Sequence, residues 1–202
     1  MASSAGQSIR PNERGRGSAV TRQRLLTAAA ELIAELGWGR VTTRAVAARA
    51  GLPHGAVSYH FRGKQELLAE AALRTVEQAF PIAELEALET MADLMAVASA
   101  GLGDREAIDP VLSAVMLEAM RESARDPALR ERIAALEREY RRLLAELVRA
   151  EQQHGAVSAD APPSALATLL AAAADGLLLH ALLDPDVDIT EALTALQTLL
   201  TR

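Results

Sequence analysis

The chain of 202 residues has no cysteine and only five aromatic side chains: one tryptophan, two tyrosines and two phenylalanines. The first absence excludes a disulfide scaffold, a thiol nucleophile and any zinc or iron–sulfur centre held by thiolates. The four histidines (His54, His60, His154 and His180) show neither a His-x3-His nor a glutamate-paired metal spacing, and there is no glycine-rich phosphate loop. Both Gly-Ala-Val-Ser segments lack the closing glycine of a Gly-x-Ser-x-Gly nucleophile elbow. Catalysis is therefore not expected, nor is a metal or a cofactor. The polar, Arg/Gly/Ser-rich first twenty residues hold no apolar stretch that would serve as a secretory signal. The longest apolar segment, residues 164–183, is alanine-rich and interrupted by Asp175 and His180, a pattern too weak to predict a membrane span.

What is present points to helices. Alanine and leucine are abundant and β-branched residues scarce. With 50% hydrophobic and 24% charged residues, the chain is a folded one, and an all-α, cytoplasmic protein is expected. Its net charge of −6 is unevenly divided. Residues 1–64 carry ten basic side chains against Glu13, Glu31 and Glu35, a balance of +7. The remainder carries eleven basic and twenty-four acidic groups, a balance of −13. A basic first third on an acidic body predicts that one end meets a polyanion and that the body is repelled from it.

The apolar periodicity predicts about nine helices in three regions: a flexible basic arm over 1–20, a compact unit over 21–80 and a larger one over 81–202. Thr21 is expected to cap the first helix, with Leu25, Ala29, Leu32, Ile33 and Leu36 facing inward and Gly37 ending it. A short helix follows from Thr42 with Val46, Ala47 and Ala50 on one face, stopped by Gly51. A third starts near Pro53 or His54 with Val57 and Phe61 inward, and Lys64 opens a longer one to Phe80. One helix is predicted over 83–100, and Asp-Pro pairs at 109–110 and 126–127 each signal a capped start. Two more follow Pro162-Pro163 and Ile189. The pentapeptide His-Gly-Ala-Val-Ser occurs at 54–58 and again at 154–158, in different contexts.

Three short helices with a glycine turn between the second and third make a helix-turn-helix candidate. Ala47 allows close crossing, and Leu52, Val57 and Val46 fill the space between the two helices. The third helix then offers His54, Gly55, Ala56, Ser58, Tyr59 and His60, small or polar residues suited to a major groove. Thr42 and Thr43 stand at a helix N-terminus, where free N–H groups favour a phosphate oxygen, as does Lys64 at the next.

The stretch over residues 39–68, GRVTTRAVAARAGLPHGAVSYHFRGKQELL, resembles the DNA-binding signature of the tetracycline-repressor (TetR) family. The match runs from Thr21 to about Leu73, a quarter of the chain. The resemblance implies phosphate contacts by Thr42 and Thr43, a base contact by Arg44, and base-facing positions at His54, Gly55 and Ala56. It further implies backbone contacts by Tyr59 and His60 and a phosphate-binding Lys64. Ser58 stands where many relatives carry the first of two aromatics, and Pro53 where a serine commonly caps. For His60 a local hydrogen bond is the alternative, for Arg49 a plain solvated position, and for Arg10, Arg14 and Arg16 either a minor-groove arm or an unstructured tail.

By the same resemblance, the acidic region after Pro81 senses a ligand and dimerises. Leu166, Leu170, Leu177, Leu178 and Leu182 on the long apolar helix, with Leu193 and Leu196 on the last, are expected at a two-fold interface; an intramolecular core is the alternative. Met91, Met95, Met116 and Met120, with Leu94 and Leu112, are candidates to line an adaptable apolar cavity. Glu118, Arg121, Asp175 and His180 are candidates to orient a ligand. The expected partners are double-stranded operator DNA, a small apolar effector and a second copy of the chain, with no membrane. The expected function is a repressor released by its effector, the alternative an activator or a partner-controlled regulator.

Overall fold

The computed structural model describes residues 11–80, 82–103, 108–184 and 186–200, with residues 11–16 described by their backbone alone. These form ten α-helices, and no strand occurs among the described residues. They are α1 (Pro11–Leu36), α2 (Thr43–Arg49), α3 (Gly55–His60), α4 (Lys64–Ala79), α5 (Ile82–Glu86), α6 (Met91–Leu102), α7 (Pro110–Ser123), α8 (Pro127–Gln153), α9 (Pro163–Leu183) and α10 (Ile189–Leu200). A 3-10 turn, Trp38–Arg40, joins α1 to α2.

Local chemistry sets most of the boundaries. The Thr42 hydroxyl accepts the Ala45 N–H at 3.1 Å and starts α2. The carboxylates of Asp109 and Asp126 accept first-turn N–H groups of α7 and α8, each followed by proline at the first helical position. Two expectations fail for local reasons. Thr21 does not cap α1: the helix begins at Pro11, and the Thr21 hydroxyl donates to the Gly17 carbonyl one turn back at 2.9 Å. Residues 11–20 of the expected flexible arm are thus helical, and residues 1–10, Arg10 included, lie outside the described residues. The single helix expected over 83–100 is two, because Thr90 and Asp93 form a reciprocal capping box that starts α6 afresh. A buried carboxylate, Glu151 on α8, accepts the Met91 N–H at 3.0 Å and ties that new start to the core.

Two apolar cores result, and the first of them crosses the expected division at residue 80. The first joins Leu25, Ile33, Val46, Val57, Phe61 and Leu68 of the N-terminal helices to Val115, Met116 and Ala119 of α7 and to Leu129 and Ile133 of α8. The second gathers α5, α6, the far half of α8, α9 and α10 around Met95, Leu144, Val148, Leu170 and Leu193. Helices α2 and α3, of seven and six residues, are too short to bury a core alone, so α7 completes it.

An ion-pair bridge fastens the same junction. Glu70 on α4 accepts from Arg132 of α8 and from Arg22 of α1, the latter at 3.0 Å. The Arg22 guanidinium also lies over the Phe61 ring, 5.2 Å from its centre. The Arg132 hydrogen bond, partly opposed by burial and then aided by Arg22, holds the Glu70 carboxyl below its ordinary value of 4.5. A carboxyl with a depressed folded pKa contributes stability above its unfolded pKa and loses it as pH falls through the folded one. Glu70→Gln is therefore expected to lower stability by about 1 kcal/mol at neutral pH, a partly exposed network being worth little more. In denaturant titrations the gap between wild type and variant should narrow as pH drops below about 4.5; a gap independent of pH would refute the bridge.

Candidate nucleic-acid interface and effector cavity

The turn between α2 and α3 is closed by a Schellman motif. Gly51 has φ +63, its N–H donates to the Ala48 carbonyl at 3.0 Å, and the Leu52 N–H reaches the Ala47 carbonyl at 2.9 Å. Arg24 of α1 donates to the Ala50 carbonyl at 2.6 Å and lies so close to Gly51 that a Cβ there would meet its Nη2 at 3.2 Å. Val46, Ala47, Val57 and Phe61 are buried beneath, as the spacing predicts. Helix α3 starts after Pro53 and His54 without a side-chain cap, which agrees with the loss of the usual capping serine.

The outer surface of this unit carries the residues singled out from sequence. Thr42, Arg44, His54, Gly55, Ser58 and Tyr59 are exposed, and Thr43, Ala56, His60 and Lys64 are half-buried. Tyr59 is 79% exposed, and its ring meets the His60 ring edge-on at 4.9 Å. Ser58 spends its hydroxyl locally, donating to the Gly55 carbonyl at 3.0 Å. Much of the basic charge is also spent locally. Arg49 pairs with Glu35 and Glu31 at 2.7 and 3.2 Å, Arg40 donates to the Leu36 carbonyl, and Lys64 donates to the Gly39 carbonyl at 2.8 Å. The Arg44 and Arg62 side chains form no hydrogen bond or ion pair among the described residues.

Three residues that sequence reasoning passed over or misplaced join this unit to the rest. Trp38 is buried; its indole N–H donates to Gln65 at 3.1 Å and its backbone N–H to the Glu118 carboxylate of α7 at 2.8 Å. Arg121 donates to the same Glu118 oxygen at 2.7 Å. Burial alone would raise the Glu118 carboxyl, but the bonds from Arg121 and Trp38 outweigh it and hold the group below the usual carboxylate range.

One turn away, the other face of α7 lines a partly open cavity of about 360 Å³ bordered by α4, α5, α6, α7, α8 and α9. Of the candidates, Leu94, Leu112, Met116 and Asp175 line it; Met120 lines a contiguous apolar groove of about 230 Å³ between α7 and α9. Met91 and Met95 do not line it, because their side of α6 is buried in the second core. Glu118 and Arg121 face the N-terminal unit instead, and His180 lines neither space. The two remaining aromatics, Phe80 and Tyr140, are not among the residues expected to line it; they meet edge-to-face at the cavity wall, 5.3 Å between centres. Periodicity gives Tyr140 only as an inward residue of α8.

The leucines expected at a two-fold interface differ in how far one protomer covers them. Leu170 and Leu193 are buried in the protomer's own core, and Leu166, Leu177, Leu178, Leu182 and Leu196 are half-buried. The uncovered apolar side chains are Leu169, Leu179 and Leu183 of α9 and Leu199 of α10, Leu183 being 75% exposed. Helix α9 is also long and apolar enough to cross a membrane, by length and composition alone.

Short α2 and α3 around a tight glycine turn, docked on a helical body with a partly open cavity, define a helix-turn-helix regulator. Residues 25–71 match the model of bacterial regulatory proteins of the tetR family, and residues 90–202 that of the C-terminal domain of BetI-type transcriptional repressors. The chain belongs to the TetR family of transcriptional regulators. Solved structures agree. A transcriptional regulator from Saccharomonospora viridis in complex with choline is 26% identical over 89% of this chain and 94% of its own, with a TM-score of 0.74. A regulator from Streptomyces coelicolor is 27% identical over 90% and 99%, with a TM-score of 0.71. SmeT, the repressor of a Stenotrophomonas maltophilia multidrug efflux pump, is 28% identical in its triclosan complex, over 91% and 92%, with a TM-score of 0.74. No protein of curated function matches the chain.

The Glu118–Trp38 bond is testable by itself. Glu118→Ala leaves a partly buried N–H without its acceptor and is expected to cost about 1–2 kcal/mol of stability. Hydrogen exchange at the Trp38 amide should quicken in that variant and stay near wild type in Glu118→Gln, which keeps an acceptor oxygen; equal exchange in all three would refute the bond.

Proposed function

We propose that this regulator is a homodimeric repressor that reads a palindromic operator and lets go of it when a small, largely apolar molecule enters the cavity bounded by α7. The observation that carries the reading is the outer face of α2 and α3. There, on a unit that holds several of its basic side chains internally, Arg44 makes no hydrogen bond or ion pair among the described residues, and Tyr59 is highly exposed. Arg44 reads a guanine edge, and His54, Gly55 and Ala56 approach the bases. Thr42, Thr43, Tyr59 and His60 hold phosphates. Lys64 and Ser58 contribute less, each being engaged locally.

A single six-residue recognition helix spans too few bases, so two copies about 34 Å apart are needed. The uncovered leucines of α9 and α10 supply the self-complementary face, which removes from water a helix too apolar to stand alone. Such pairing accounts for α9 without a membrane and keeps the protein in the cytoplasm. Effector action follows from α7, which borders the cavity through Ser113 and Met116 and holds Trp38 through Glu118. A ligand that fits one position of α7 better than another shifts the spacing of the two reading heads. Choline and triclosan, the molecules in two neighbours, are chemically unlike, so they support ligand binding here but not a common ligand.

Fluorescence anisotropy on DNA flanking the gene is expected to show salt-sensitive binding. Arg44→Ala and Tyr59→Ala should each weaken that binding at least about tenfold. Binding no tighter than to random DNA, or insensitive to both substitutions, would overturn the assignment. Sedimentation at micromolar concentration should give a dimer, and Leu169→Glu with Leu183→Glu a folded monomer; an unchanged dimer would place the interface elsewhere.

A further inference from the structure

Residues 59–61 place three flat side chains in succession at the end of α3: Tyr59, His60 and Phe61. Phe61 is the inner end of the series. It is buried, and its N–H closes α3 onto the Val57 carbonyl at 2.9 Å. The His60 ring lies tilted beside it, 6.3 Å between centres, and the Tyr59 ring rests edge-on against His60. Tyr59 is the outer end, and its hydroxyl makes no hydrogen bond among the described residues. The inner end is held from outside α3. The Arg22 guanidinium of α1 covers the Phe61 ring, and one oxygen of Glu70 on α4 fixes that guanidinium at 3.0 Å. The other Glu70 oxygen takes Arg132 of α8, 62 positions along the chain. Among the described residues neither arginine has a second acid partner. One carboxylate thus serves two guanidiniums, one from the reading head and one from the body.

A long cationic side chain released from its acid turns its head to water, where its rotamer freedom is greatest. Without Glu70 the cation leaves the Phe61 face, and the ring series loses its fixed inner end. A contact group whose direction is set beforehand binds better, because ordering it on binding costs conformational entropy. We propose that Glu70 is a positioning residue for DNA binding: held by Arg132 of α8, it keeps Arg22 over Phe61 and so fixes the direction in which Tyr59 meets the phosphate backbone. This rests on the reading above in which Tyr59 holds a phosphate. It gives the body a second hold on the reading head, through α8, apart from the Glu118–Trp38 bond of α7.

Charge alone predicts the opposite sign. Glu70→Gln removes a negative charge from a protein that approaches a polyanion, so a purely electrostatic effect tightens binding, whereas lost positioning weakens it. Glu70 and Arg132 are both partly exposed, so neither substitution by glutamine buries an amide away from water. Fluorescence anisotropy of the full chain on a random-sequence duplex at low salt reads the effect, because a phosphate contact counts on every sequence. Glu70→Gln is expected to weaken binding about fivefold alone and less than about twofold beside Tyr59→Ala, the non-additivity of residues that act as a unit. Arg132→Gln should weaken binding about threefold alone and less than about 1.5-fold beside Glu70→Gln. Glu70→Gln binding as tightly as wild type or tighter, or weakening binding equally beside Tyr59→Ala, would overturn the positioning role while leaving Tyr59 its phosphate. Tyr59→Ala binding as tightly as wild type would overturn the phosphate contact and the positioning role together. Arg132→Gln weakening binding equally beside Glu70→Gln would make Arg132 a distant cation and overturn the hold from α8.

Discussion

Helix α7 is shared, and the rest of the structure depends on that sharing. With seven and six residues, α2 and α3 cannot bury an apolar core, and the gap over α1 and α4 is filled by Val115, Met116 and Ala119. Met116 faces the N-terminal core and the cavity at once. Glu118, two residues on, accepts the Trp38 N–H that opens the turn into α2. A closely packed core passes on displacement instead of absorbing it, so a helix committed to both units cannot shift for one without moving the other.

The second organising feature is how many basic side chains of the N-terminal unit are held in place by the unit's own groups. Arg24, Arg40 and Lys64 donate to backbone carbonyls at the ends of α2, α1 and the 3-10 turn. Arg22 and Arg49 pair with glutamates. These contacts fix the angle at which α3 leaves the body, which is what a reading head requires of its scaffold. Arg44 and Arg62 are left without such a contact among the described residues.

Legibility differed by the range of the interaction involved. Helices capped by Thr42, Asp109 and Asp126 and closed by Gly51 were readable because their signals lie within four residues of the boundary. The Thr90–Asp93 box is equally local and was obscured by the apolar periodicity around it. Thr21 misled because a threonine caps in one context and bonds back along a helix in another. The repeated His-Gly-Ala-Val-Ser makes the limit explicit. At 54–58 it lies in and just before α3; at 154–158 it ends α8, with Gly155 at φ +74 and the Ala156 N–H returning to the Glu151 carbonyl.

The amino-acid sequence by itself determined the all-helical class, the helix-turn-helix and its outward-facing residues, since periodicity, caps and a glycine turn are encoded within a few positions. Only the tertiary structure decided which sides of the all-round apolar α9 meet the protomer, burying Leu170 and leaving Leu169 and Leu183 uncovered. It alone brought Phe80 to Tyr140 across 60 positions, and Glu118 to Trp38 across 80. It also turned Arg121 away from the cavity and Met91 and Met95 into the core. The physical reason is common to all of these: a helix of period 3.6 declares that it has a buried face, and the neighbour that buries it is chosen by packing among elements far apart in the chain.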